Sequence, residues 1–207
     1  MARDEERAAR AQQAPIVGSL PDVPGIVVAM QLTPGLGLHM RGLADELLVK
    51  DYPGTTLSRA DRELLAAAVS AQNGCFFCMD SHGEHATALL ERSGDMERIA
   101  LIDTIKAGSS EGFDPKMQAL LGIARIVGAD ARQLTDGDVR DAVVAGATDA
   151  DVQLAVLIAA GFSMYNRMVD GFRAKTPGSL GAYRARAVEI ADHGYGLPAA
   201  EPAAART

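Results

Sequence analysis

The stretch Leu57–His82, LSRADRELLAAAVSAQNGCFFCMDSH, decides how this chain is read. Ser58, or Thr56 just before it, can cap a helix in which Leu64, Leu65, Ala68 and Val69 recur at helical spacing behind Glu63. Asn73-Gly74 stops that helix. A second then starts at about Cys75 and runs to Arg92, closed by Ser93-Gly94. Cys75 and Cys78 are the only cysteines in the sequence. At about 100° per residue, Cys75, Cys78, His82 and His85 project within roughly an 80° arc and can share one helix face. A helix start at Cys75 sets unsatisfied N–H groups and the dipole against the thiol, which favours a thiolate there.

The residues alone leave several roles open. The pair can be a redox-active CxxC, a buried disulfide or two buried thiols. Cys75, Cys78, His82 and His85 also supply the ligand types of a Cys₂His₂ zinc site, although four ligands on under three turns of one helix is poor tetrahedral geometry. Glu63, twelve residues before Cys75, can face the cysteines if the two helices pack side by side; otherwise it is a solvated first-turn charge. His85 alone reads as a surface or supporting histidine. Tyr165, Asn166 and Arg167 either line a cleft or pack a buried helix, with the arginine paired to an acidic neighbour.

The rest of the chain sets the frame. It has 207 residues, 48% of them apolar and 23% charged, which is ordinary globular usage. Thirty-seven are alanine, and runs of β-branched residues are few, so the expected fold is all-α. The net charge of −7 gives no global basic field for nucleic acid or anionic lipid. Strictly apolar runs such as Leu154–Ala160 fall far short of the roughly 20 residues that span a bilayer, and the start lacks a signal-like apolar region. A cytoplasmic protein is expected.

Residues 1–16 and 196–207 are charged or small and Pro-containing, and are expected to be flexible around a single helical domain over 17–195. Pro and Gly in 17–37 predict an irregular, wrapping lead-in. Further helices are expected at 38–49, 95–106, from Asp114-Pro115 through Ile126, after Thr135, from Asp149 to about Arg173 and over 180–192, about eight in all. LSRADRELLAAAVSAQ and LTDGDVRDAVVAGATD echo each other weakly, as a degenerate helical repeat would, with 58–92 carrying the redox motif and 114–173 forming a second half.

Leu57–His82 resembles the core of the alkylhydroperoxidase D-like proteins of the carboxymuconolactone decarboxylase superfamily, in their peroxidase-related branch. The pattern is a Leu-Ser cap, Arg62-Glu63, eleven residues, then Cys-x-x-Cys-x-x-x-His ending at His82. The resemblance implies an all-helical homo-oligomer, trimeric or hexameric, and a thiol-dependent peroxidase. It makes Cys78 the peroxide-reacting cysteine, Cys75 its more accessible resolving partner, and Glu63 with His82 the proton relay. Phe77 stands where the best-characterised members carry a second histidine. A thioredoxin-like or lipoyl-carrying protein would reduce the disulfide. No dinucleotide fingerprint occurs, so no bound cofactor is expected. Phe76, Phe77 and Met79 suit organic hydroperoxides, or simply pack a helix start. A non-catalytic thiol sensor and a zinc-binding helical module are the alternatives on the same scaffold.

Overall fold

Capping side chains set five of the eleven described α-helix starts. In the computed structural model, which describes residues 2–196, the hydroxyls of Ser58, Thr135 and Thr148 each accept from the backbone N–H three residues on. Asp61, Asp138 and Asp151 accept in return from the cap N–H groups. These reciprocal pairs satisfy two otherwise orphaned donors per helix, and they are the physical content of the echo between LSRAD and LTDGD. Asp95 and Asp114 cap two further helices.

The elements are α1 (Ala2–Ala11), α2 (Val27–Leu32), α3 (Pro34–Leu48), α4 (Arg59–Gln72), α5 (Phe76–Ser93), α6 (Met96–Ala100), α7 (Ile102–Lys106), α8 (Pro115–Asp130), α9 (Asp136–Val144), α10 (Asp149–Gly171) and α11 (Gly181–His193), with a 3-10 turn at Ala131–Gln133. Among the described residues there is no strand, only an isolated bridge between Pro24 and Lys175. The fold is all-α, as expected.

Three differences from the sequence reading have local causes. The lead-in is shorter than expected, because Val27–Leu32 is helical and α3 already begins at Pro34; a proline at the first helical position lacks only an N–H that has no partner there. Gly37 reads as a breaker, yet it lets α2 and α3 meet: a Cβ there would lie 2.4 Å from the Met30 carbonyl oxygen. The expected helix over 95–106 is two short helices broken at Leu101. Most of the C-terminal tail, residues 197–207, lies outside the described residues.

The N-terminal segment is helical over Ala2–Ala11 rather than frayed. Arg7 donates to both carboxylate oxygens of the buried Asp80, at 2.7 and 3.1 Å, and Lys106 Nζ stands 3.3 Å away. A buried carboxylate needs such partners, so α1 is fastened to α5.

α4 is the centre of the packing. Leu64, Leu65, Ala66, Ala67, Ala68 and Val69 are all fully buried, with α3, α5, α7, α8 and α10 packed around them. A helix apolar on every side is stable only inside a core, and its alanines let the neighbours approach. α5 packs between α4 and α11. α10 is the one described helix long and apolar enough to cross a membrane by length and composition, but half of that stretch is buried within the fold.

The lead-in does wrap. Leu20, Val23 and Ile26 pack on Cys75, Cys78 and Phe77, and Gly25 N–H donates to the Lys175 carbonyl at 3.0 Å. Gly25 has φ +56°, and a Cβ on it would fall 2.1 Å from the Phe77 ring. Gly25→Ala therefore combines left-handed strain with a clash, and should destabilise the protein by about 1–3 kcal/mol. Thermal denaturation checks this: a lowered Tm is expected, and an unchanged Tm would contradict the packing described.

Candidate active site

Glu63 is an anion-forming residue on the most buried helix of the fold. It lies fully buried on α4, and such a group must be met by donors. α5 supplies the first: His82 Nδ1 is 2.6 Å from Glu63 Oε2. The segment after α11 supplies the second, because the Tyr195 hydroxyl donates to Glu63 Oε1 at 2.8 Å and stands 3.0 Å from Oε2. His85 Nδ1 is 2.8 Å from the Tyr195 oxygen and 3.6 Å from Glu63 Oε2. The His82 ring is fixed edge-on against Phe162, with centroids 4.5 Å apart.

These contacts define protonation states. Burial pushes the Glu63 carboxyl up, but the hydrogen bonds and charge of His82, and then of His85, outweigh it and hold Glu63 at about 2. Burial, then the Glu63 charge, push Tyr195 well above the ordinary tyrosine value, so it keeps its proton and directs it at Glu63. Burial lowers His85, against the pull of Glu63. A neutral His85 then donates Nδ1–H to the Tyr195 oxygen and turns Nε2 toward the Ser81 hydroxyl, 3.4 Å away. His82 Nδ1 faces the ionised Glu63 carboxylate, which can only accept, so Nδ1 carries the donated proton. Its Nε2 is the nitrogen left for the reacting group.

Cys75 is the N-cap residue of α5 and makes no capping bond through its side chain. Both cysteines are free and buried, at 0% and 2% exposure. The helix-start argument for a low-pKa Cys75 fails. Its hydrogen bond with Cys78 is the largest influence, burial follows, and the charges of Cys78 and Asp170 add to them; all push the Cys75 thiol well above its ordinary value. Nor is Cys75 the more accessible cysteine, because Val23, Ile26 and Phe172 pack in the cluster that encloses it. A pocket of about 120 Å³ reaches Cys78 instead, with His82, His85, Ser81 and Tyr195 in its wall, and Cys75 takes no part in lining it.

The metal-ligand set foreseen on one helix face is not the set that converges. Glu63, His82 and His85 bring their ligand atoms within 4.8 Å of one another, and neither cysteine belongs to that group. Tyr165 lines the pocket and donates to the Met40 carbonyl at 2.8 Å. Asn166 is buried, donating to Ser70 and accepting from Asn73. Arg167 meets the Ser163 carbonyl at 2.8 Å in place of the expected acidic partner. Tyr195 is the member that sequence reading missed. Its signal, one tyrosine between Gly194 and Gly196, is too slight to mark it, because its position depends on the Asp45 carboxylate that accepts its N–H at 2.6 Å.

The helical fold around Glu63 and the CxxC-xxx-His run is shared with solved structures. An uncharacterised peroxidase-related protein from Ralstonia eutropha, described as an alkylhydroperoxidase AhpD core, is 21% identical, covering 90% of this chain and 88% of that one with a TM-score of 0.65. A peroxidase-related protein from Silicibacter, also uncharacterised, is 20% identical over 84% of this chain and 93% of that one, with a TM-score of 0.64. The carboxymuconolactone decarboxylase family matches residues 39–125, which bears out the resemblance read from Leu57–His82. No curated protein is significantly similar to the chain.

The Glu63 carboxyl is depressed from its ordinary 4.5 to about 2, so the stability it contributes is full above about pH 4.5 and is lost as pH falls toward 2. Denaturation midpoints between pH 2 and 6 should fall steeply in the wild type and less so in Glu63→Gln. Equal slopes would contradict the assignment. Tyr195→Phe, which removes a buried donor, should cost about 1–3 kcal/mol in the same assay at neutral pH.

Proposed function

We propose that the protein is a thiol-dependent peroxidase acting on organic hydroperoxides through Cys78, with Cys75 as the resolving thiol. The observation that carries this reading is that, of the two cysteines, only Cys78 lines the pocket, in company with a His82 whose Nδ1 is held by Glu63. His82 Nε2 takes the Cys78 proton, and the thiolate attacks the terminal peroxide oxygen. The O–O bond breaks, the imidazolium returns its proton to the departing alkoxide, and an alcohol leaves. Sulfur has lost two electrons and the peroxide has gained them. The Cys78 sulfenic acid then condenses with the Cys75 thiol, expelling water and forming the disulfide.

Glu63 takes a different part from that of a proton acceptor. A carboxyl at about 2 stays ionised throughout, so it orients His82 and stabilises its protonated form. Phe77, where a second histidine would stand, is an apolar wall of the pocket and packs on Tyr183 with ring centroids 5.6 Å apart. The relay therefore runs through His82 alone, and an apolar hydroperoxide suits the wall.

Return to the dithiol form requires an external dithiol, for which a thioredoxin-like or lipoyl-carrying protein is the proposed partner. The enclosed position of the cysteines means that the 17–26 segment must move for a protein reductant to reach them. That same enclosure favours a second reading, a thiol sensor that oxidises without turnover. The homo-oligomer implied by the resemblance would cover Leu36, Leu38 and Leu43, which stand exposed on α3.

Free thiols should fall from two to none per chain within seconds of adding one equivalent of cumene hydroperoxide to reduced, metal-free protein. Cys78→Ser should keep its thiol, Cys75→Ser should form a trappable sulfenic acid at Cys78, and Glu63→Gln should react about 10²-fold more slowly. Thiols that survive in the wild type would overturn the peroxidase reading. Oxidation with no recycling by excess dithiothreitol would favour the sensor.

A further inference from the structure

The pocket beside Cys78 is apolar over most of its wall, with Ile26, Val27, Met30 and Phe162 among its lining residues. Two guanidinium groups interrupt that wall, Arg41 from α3 and Arg186 from α11. Among the described residues, no carboxylate lines the pocket. Glu63 has its oxygens occupied by His82 and Tyr195, and Asp45, one turn along α3 from Arg41, accepts the Tyr195 backbone N–H. Arg186 is tied to Glu189 at 2.7 Å on its exposed side. Arg41 is half-buried, and among the described residues no side chain or carbonyl pairs with it.

A guanidinium in the wall of an apolar pocket, with no protein partner among the described residues, leaves its donors open to an anionic ligand there. The planar guanidinium fork matches a carboxylate in two parallel hydrogen bonds. We infer that the pocket recognises apolar molecules carrying a carboxylate, with Arg41 as the principal anchor and Arg186 adding to the positive field. This inference rests on the peroxidase reading for its chemistry: the preferred substrate becomes an organic hydroperoxide whose carboxylate meets Arg41 while its peroxide group reaches Cys78. The bonds made and broken are those already described, and the carboxylate takes no part in them.

Recognition is separable from turnover by using the alcohol products, which bind without reacting. Calorimetry on the reduced protein would compare cumyl alcohol with its para-carboxylated analogue, alongside consumption assays with cumene hydroperoxide and para-carboxycumene hydroperoxide. The carboxylated alcohol should bind about tenfold more tightly than the neutral one. That preference should weaken with added salt, vanish in Arg41→Gln and return in part in Arg41→Lys. The ratio of kcat/KM for the carboxylated over the neutral peroxide should fall in Arg41→Gln in step with the binding preference. Equal binding of the two alcohols, or a preference that Arg41→Gln leaves intact, would overturn the inference. If the wild type consumes cumene hydroperoxide yet binds both alcohols equally, the carboxylate site is wrong and the peroxidase reading survives. If the Arg41-dependent preference holds and neither peroxide is consumed, the carboxylate site is supported and the peroxidase reading fails.

Discussion

A carboxylate at the centre of a helical core can be tolerated only where donors converge on it from fixed directions, and Glu63 sets that requirement for this protein. It sits on α4, where Leu64–Val69 are apolar and the other buried polar groups, Arg62 and Ser70, are turned to the Lys50 and Ala66 carbonyls instead. The donors come from two separate places. His82 reaches it because α5 packs along α4 after the Asn73-Gly74 turn, and Tyr195 because the chain beyond α11 turns back toward α3, where Asp45 fixes its backbone. Arg59, at the start of α4, donates to the carbonyls of Ile190 and Ala191 and so ties α11 to the same helix. Three stretches distant in sequence are thus committed to one geometry by a single buried charge.

The same geometry puts the two cysteines in different surroundings. Cys75 is closed in beneath the 17–26 segment, hydrogen-bonded to Cys78 and faced by Asp170, surroundings that keep a thiol protonated. Cys78, one turn on, borders the pocket. In the proposed cycle, a protonated Cys75 beside the pocket-lining Cys78 holds the second sulfur ready without competing for the peroxide. Helix-dipole reasoning from the sequence points to the opposite assignment. The orphaned N–H groups are opposed by the hydrogen bond with Cys78, then by burial and the charges of Cys78 and Asp170.

How far the sequence could be read follows from how local each feature is. Ser58, Thr135 and Thr148 act over three residues, so their helices are legible, as is the turn at Asn73-Gly74. The Glu63 and His82 pairing depends on one hairpin of two helices, and spacing is enough to suggest it. Tyr195 is not legible because its position is set by Asp45 and Glu63, more than 100 residues away in the chain. The helix at Ala2–Ala11 was also hidden, since what holds it is Arg7 on Asp80, a contact no local propensity reports. The start of α3 was misplaced because Gly35 and Gly37 weaken a helix in isolation, whereas here Gly37 serves a close approach between two helices.

The proposed chemistry depends most on Glu63 fixing His82 as the tautomer with its proton on Nδ1, leaving Nε2 for the Cys78 thiol. Long-range proton–nitrogen NMR of the reduced protein at neutral pH reads that state directly. A His82 ring protonated at Nδ1 and bare at Nε2, with the Nδ1 proton shifted or lost in Glu63→Gln, is the predicted result. A proton on Nε2, with Nδ1 bare against the Glu63 carboxylate, would contradict it.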